Sequence, residues 1–190
     1  MVPPPTSTRR HSRRRPRHRG QKAVLLLSLL VLAGCGRHAA DITWSEVETR
    51  IQKTFPDVPS IDTRSLNEAM LDPNRPLVLI DAREPEEFAV SHLWGAVRAT
   101  SVEQAVELAD RAPDGATIVA YCSVGYRSAG LVTALRDRGL TEVYNLKGSI
   151  FRWANENRPL YRGDAIVGEV HPFDETWGVL LQDHRRAYSP

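Results

Sequence analysis

Two cysteines in 190 residues leave little room for thiol pairing chemistry. A disulfide framework, a Cys-x-x-Cys redox pair and a zinc site built from several thiolates are all excluded once one of the two is assigned elsewhere. His171 and His184 stand too isolated to suggest a metal site. There is no internal repeat, and the one biased segment is at the N-terminus. That segment lacks acids altogether: no Asp or Glu precedes residue 41.

What the N-terminus does contain is basic and then apolar. Arg9, Arg10, Arg13, Arg14, Arg15, Arg17, Arg19 and Lys22 lead into Ala23 to Ala33, where Ser28 is the sole polar residue. The apolar run is too short for a comfortable permanent span. A basic region followed by such a run reads as a secretory signal, so 1–34 is expected to be removed. Leu32-Ala33-Gly34-Cys35 resembles the lipobox of bacterial lipoproteins. That resemblance implies an acylated Cys35, a tether over 35–42 and a lipid-anchored chain in the bacterial cell envelope, on the extracytoplasmic or periplasmic side.

Processing changes the charge. Eight of the 25 basic residues precede Cys35 and all 23 acids follow it, so the chain from Cys35 onward is near −6. A nucleic-acid partner thereby loses its electrostatic support. The remaining length suits one globular domain.

Thr43-Trp44-Ser45-Glu46 has capping-box spacing, and Trp44, Val47, Ile51 and Phe55 fall at helical intervals. Ser60 to Asp62 predicts a short strand and Ser65 to Leu71 a helix. Leu77 to Ile80 and Ala116 to Tyr121 are apolar runs that suit strands buried on both faces of a parallel sheet. Helices are predicted over 84–90, 102–109, 127–138 and 150–155, and further strands over 94–99 and 142–146. The alternation implies an α/β fold, an open parallel sheet flanked by helices on both faces, with ligands beyond the carboxyl ends of the strands. Asp81 and Cys122 lie at such ends. In the tail, 164–170 predicts an edge strand, Trp177, Leu180 and Leu181 a docked turn, and 185–190 a frayed end.

Cys122 carries the chemistry. It sits where an apolar strand runs out, before Ser123, Val124, Gly125 and Tyr126 and a helix opening at Arg127 and Ser128. Loop amides and a helix N-terminus favour thiolate over thiol, and a thiolate is a nucleophile. Burial as an inert thiol is the alternative fate. Arg127 is a candidate for attracting an anionic donor; pairing with an acid such as Asp137 is its structural alternative. His92 reads as a structural histidine, and Trp94, Trp153 and Trp177 as core or docking residues.

Three segments in series resemble the rhodanese-like domain: Asp81-Ala82-Arg83-Glu84-Pro85-Glu86-Glu87-Phe88 with His92-Leu93-Trp94-Gly95-Ala96; the loop from Cys122 to Ser128; and Val143 to Gly148 with Trp153 and Pro159. The resemblance covers roughly 43–160 and leaves 161–190 as an extension. It implies sulfurtransferase activity through a Cys122 persulfide, with Ser123 to Ser128 as the surrounding loop and Arg127 facing the pocket. Asp81 and Arg83 are implied to brace that loop. The partners implied are a small sulfur donor and a thiol acceptor; no metal or cofactor is called for, and a monomer is expected. Ser91 and Ser149 stand where glycines are common in the family, and both positions look structural. The loop matches neither the mercaptopyruvate nor the more basic thiosulfate type, which leaves the donor open. Two rivals remain: a non-catalytic binding, carrier or sensing module, and a phosphatase or arsenate reductase. The second needs Cys-x5-Arg, one residue longer than the Cys-x4-Arg here.

Overall fold

The computed structural model describes residues 41–190. The expected signal peptide, the Cys35 lipidation site and most of the tether lie outside the described residues.

The uncharged apolar runs form the centre of the sheet. β2 (Leu77–Asp81) and β4 (Thr117–Tyr121) pair in parallel, Leu77 opposite Thr117 and Asp81 opposite Tyr121. β3 (Val97–Arg98) lies beyond β2, while β5 (Val143–Leu146) and then β1 (Ser60–Ile61) extend the sheet past β4. All five strands are parallel, in the order β1-β5-β4-β2-β3. The connecting helices are α1 (Trp44–Thr54), α2 (Thr63–Leu71), α3 (Pro85–Val90), α4 (Val102–Asp110), α5 (Tyr126–Asp137) and α6 (Ser149–Asn155). The expected capping box opens α1: Thr43 Oγ1 accepts from the Glu46 N–H at 3.3 Å, and Glu46 accepts from the Thr43 N–H at 2.7 Å.

Side chains alternate along a strand, so the core has two layers. Leu79, Val119, Tyr121 and Leu146 pack with Val47 of α1, Leu66 of α2, and Phe151 and Trp153 of α6. Ile80, Ile118, Ala120 and Val143 pack with Ala105 of α4 and with Leu131, Val132 and Leu135 of α5. Helices cover both faces, which is why the central strands read as unbroken apolar runs. Cys122 belongs to the second layer, next to α5.

The tail departs from expectation in two places. The segment expected as an edge strand instead forms β7 (Ala165–Val167), paired antiparallel with β6 (Leu160–Arg162) in a hairpin separate from the main sheet. The hairpin joins the domain through a bridge between His92 and Tyr161. Residues beyond 185 do not all fray, because they pair with distant backbone: Val170 donates to Arg185 O at 2.6 Å and accepts from the Ala187 N–H at 3.2 Å. Such nonlocal pairing leaves no local sequence pattern. Between them, α7 (Glu175–Gly178) starts at Asp174, whose carboxylate accepts the Trp177 N–H at 2.9 Å. Leu180 and Leu181 are buried, and Asn155 of α6 holds the Leu180 carbonyl at 2.8 Å and the Gln182 N–H at 3.1 Å.

Candidate active site around Cys122

β4 delivers Cys122 to its carboxyl end, and the chain turns through Ser123, Val124 and Gly125 into α5. Gly125 has φ +108°, a conformation that a side chain disfavours. That turn lets the Gly125 N–H donate to Cys122 Sγ at 3.2 Å. Three neighbouring groups fix the loop from outside. The Cys122 N–H donates to Ser149 Oγ at 3.1 Å. The Ile150 and Phe151 N–H groups, free in the first turn of α6, donate to the Cys122 and Ser123 carbonyls at 3.2 and 3.1 Å. Asn145 on β5 donates to the Gly125 carbonyl at 3.1 Å and accepts from Ser128 Oγ at 2.7 Å.

The thiol is 1% exposed, and burial alone pushes its pKa up. The Arg127 charge, the Ser128 N–H and hydroxyl and the Gly125 N–H outweigh that and hold it below the ordinary cysteine value. The Ser128 hydroxyl has one proton for two acceptors, Asn145 Oδ1 and Cys122 Sγ. The amide donors have no such competition.

Arg127 does pair with a helix acid, as its structural alternative had it, but the acid is Glu87 rather than Asp137. Glu87, from α3, grips it with two hydrogen bonds of 2.8 Å each, and Arg127 also donates to Ser123 Oγ at 3.0 Å. Ser123 Oγ in turn donates to Glu87 at 2.8 Å. Burial tends to raise the Glu87 carboxyl; the Arg127, Glu84 N–H and Ser123 contacts bring it below the usual carboxylate range. Burial likewise works against the Arg127 cation, but Glu87 and Cys122 together raise its pKa. One guanidinium therefore serves two negative groups.

The hydrogen bonds of Asp81 and Arg83 run elsewhere than expected. Both side chains are fully buried, Arg83 binds Asp81 at 2.7 Å and 2.9 Å, and its other bond goes to the Ser91 carbonyl at 2.6 Å. They brace the crossover after β2, and the loop's braces are Glu87, Asn145 and Ser149. His92 has Nδ1 3.2 Å from the Phe88 carbonyl, and its ring stacks on Phe88 at 4.1 Å. Ser91 Oγ donates to the Glu169 carbonyl at 2.6 Å, tying the crossover to the tail. Trp153 is core; Trp94 is half exposed and packs on Tyr161 at 4.8 Å.

Cys122 opens into a cavity of about 190 Å³ lined by Ser123, Val124, Tyr126, Arg127, Phe173 and Trp177. The last two come from the extension. Phe173 lies 4.8 Å from the Arg127 guanidinium, and its backbone is in the left-handed region at φ +68°, unusual for a bulky residue. His171 Nδ1 holds it there, accepting the Phe173 N–H at 3.1 Å. Gly178 lets the turn close, since a Cβ there would meet Pro172 at 3.0 Å. The structure gathers Cys122, Ser123, Val124, Tyr126 and Arg127 around this cavity; Glu87, Asn145 and Phe173 are not singled out from the sequence, which marks Ser149 and Trp177 as structural or docking residues.

Residues 61–156 match the family model described as the rhodanese-like domain. The chain belongs to this family. Among curated relatives, it is 36% identical over 90 residues to the probable adenylyltransferase/sulfurtransferase MoeZ of Mycobacterium tuberculosis, covering 47% of this chain and 23% of that protein. It is 31% identical over 110 residues to the tRNA uridine(34) hydroxylase of Cupriavidus taiwanensis, covering 55% of this chain and 39% of that one. The chain thus spans well under half of either relative. Among solved structures, the thiosulfate sulfurtransferase of Pseudomonas aeruginosa aligns with a TM-score of 0.53 at 22% identity, over 60% of this chain and 22% of that one. At that identity the likeness shows the rhodanese-like fold.

Proposed function

We propose that this protein is a rhodanese-type sulfurtransferase that moves a sulfane sulfur from a donor such as thiosulfate or a persulfide to a thiol. The observation that carries the reading is the setting of Cys122: a buried sulfur whose pKa is lowered despite burial, facing the Gly125 N–H at 3.2 Å and the start of α5. A relative that matches 90 residues of this chain is named as a probable adenylyltransferase/sulfurtransferase.

The steps follow from that setting. Cys122 thiolate attacks the outer sulfur of the donor; a sulfur–sulfur bond forms to Sγ, and the donor's own sulfur–sulfur bond breaks. The bonding pair leaves with the donor remainder, as sulfite when the donor is thiosulfate. The loop amides and Arg127 then hold the terminal charge of the Cys122 persulfide. An acceptor thiolate attacks that terminal sulfur and restores Cys122 thiolate. Two displacements replace one difficult transfer, and thiolate fraction and leaving group set the rate.

Intact mass after incubation with a sulfane donor tests this. The wild-type chain should gain one sulfur, and Cys122→Ser none. A wild-type chain that gains no sulfur from thiosulfate or from a persulfide overturns the proposal. Separately, we propose from the lipobox-like Leu32-Ala33-Gly34-Cys35 that a lipid on Cys35 anchors the protein on the extracytoplasmic side of the envelope.

A further inference from the structure

We infer that the Cys122 pocket takes a small organic persulfide, with its carbon substituent against Phe173 and Trp177, in preference to thiosulfate. This rests on the sulfurtransferase reading and concerns which donor that site accepts.

The charges come first. Arg127 is the one cation lining the pocket, and it is already bound twice by Glu87 and once to Ser123 Oγ. It also balances the Cys122 thiolate. With the thiolate formed, Cys122, Glu87 and Arg127 sum to a net negative site. A dianion entering it would lose water without gaining a free cation, and burial of charge without a partner is unfavourable. Ser123 is likewise committed, donating to Glu87.

The walls come second. Apart from the committed Ser123 and Arg127 groups, the approach to Sγ runs past Val124 and the rings of Tyr126, Phe173 and Trp177. Tyr126 is fixed edge-on against Phe55 at 5.4 Å. Phe173 is held over Arg127 by the His171 contact, so it screens the cation's exposed face from solvent. An apolar wall rewards a carbon substituent, and aromatic edges favour divalent sulfur.

The transfer balances without an added oxidant or reductant. Cys122 thiolate attacks the terminal sulfur of R–S–SH, the new bond joins Sγ to that sulfur, and the donor's own sulfur–sulfur bond breaks. The electron pair leaves on R–S⁻, and the proton stays on the transferred sulfur. One persulfide and one thiolate stand on each side of the exchange, so nothing is net oxidised.

The test uses the full chain and two donors, benzyl hydropersulfide and thiosulfate, with single-turnover sulfur gain on Cys122 read by intact mass. Both rates are divided by those of N-acetylcysteine thiolate with the same donors, which removes intrinsic donor reactivity. The normalised ratio should favour the benzyl donor by about tenfold or more, the size expected for one well-placed aromatic contact. Phe173→Ala should collapse that ratio, slowing the benzyl donor and speeding thiosulfate. Phe173→Leu, which keeps an apolar side chain on a half-exposed position, should retain most of it. A normalised ratio near one in the wild-type chain, or a ratio unmoved by Phe173→Ala, overturns the donor preference while leaving sulfur transfer standing. No sulfur gain from either donor overturns both.

Discussion

Glu87 and Arg127, forty residues apart in sequence, are joined by two hydrogen bonds of 2.8 Å each. The pair spans from α3 to the start of α5 and closes over Ser123. It sets how much of the Arg127 charge is left for the sulfur.

Removing either partner should therefore move the Cys122 pKa in opposite directions. Arg127→Ala takes away the cation that favours thiolate, so the midpoint of iodoacetamide alkylation against pH should rise. Glu87→Gln takes away a competing anion, so the midpoint should fall below that of the wild type. Each variant should also lose about 1–3 kcal/mol of stability, less than for a fully buried pair because Arg127 is 30% exposed. Midpoints that shift in the same direction would show that the guanidinium is not shared.

Glu87 also predicts an acid limb. Its carboxyl titrates below the ordinary value of 4.5 in the folded chain, because burial is outweighed by Arg127, the Glu84 N–H and Ser123. A depressed carboxyl stabilises fully above its unfolded pKa, and that stabilisation is lost as pH falls through the lower, native one. Urea midpoints measured from pH 6 down to pH 3 should fall more steeply for the wild type than for Glu87→Gln. Parallel curves would remove Glu87 from the account.

Ser149 separates backbone strain from hydrogen bonding. It sits at φ +50° and its hydroxyl accepts the buried Cys122 N–H. Ser149→Ala keeps the strain and strands that N–H, at a cost of about 1–3 kcal/mol. Ser149→Gly strands it too but relieves the backbone, so it should be the more stable variant by about 1 kcal/mol. Urea unfolding checks the order; an alanine variant as stable as the wild type would mean the hydroxyl holds nothing.

Lipidation is tested separately. Cys35→Ala should release the protein from the membrane fraction, since acyl chains contribute about 0.8 kcal/mol per buried methylene. Fractionation identical to the wild type's would overturn the anchor.

The sheet was legible in the sequence because both its faces are buried, which turns Leu77–Ile80 and Ala116–Tyr121 into charge-free runs. The Cys122 loop was legible because strand, glycine and helix are contiguous there. Glu87 was not: beside Glu84 and Glu86 it reads as one more charge on a solvated helix face, and only the approach of α5 buries it. The one hint was its place three residues after Glu84, whose N–H it accepts at 3.0 Å. Ser149 announced an unusual position by replacing a common glycine, yet its acceptor role depends on β4 arriving beside α6. Phe173 carried no periodic signal, and Trp177 read as part of a docked turn without showing what it docks on, since contacts with the 123–127 loop and α1 decide where they lie.

Phe173 and Trp177 are synthesised well after Cys122, and they supply the outer wall of its pocket. A chain that has the sheet but not this segment would lack two of the walls of the cavity over its sulfur. Nucleophile and cover thus come from separate stretches of chain, and a cut near Glu169 would leave the cover held by non-covalent contacts such as the Asn155 bonds to Leu180 and Gln182.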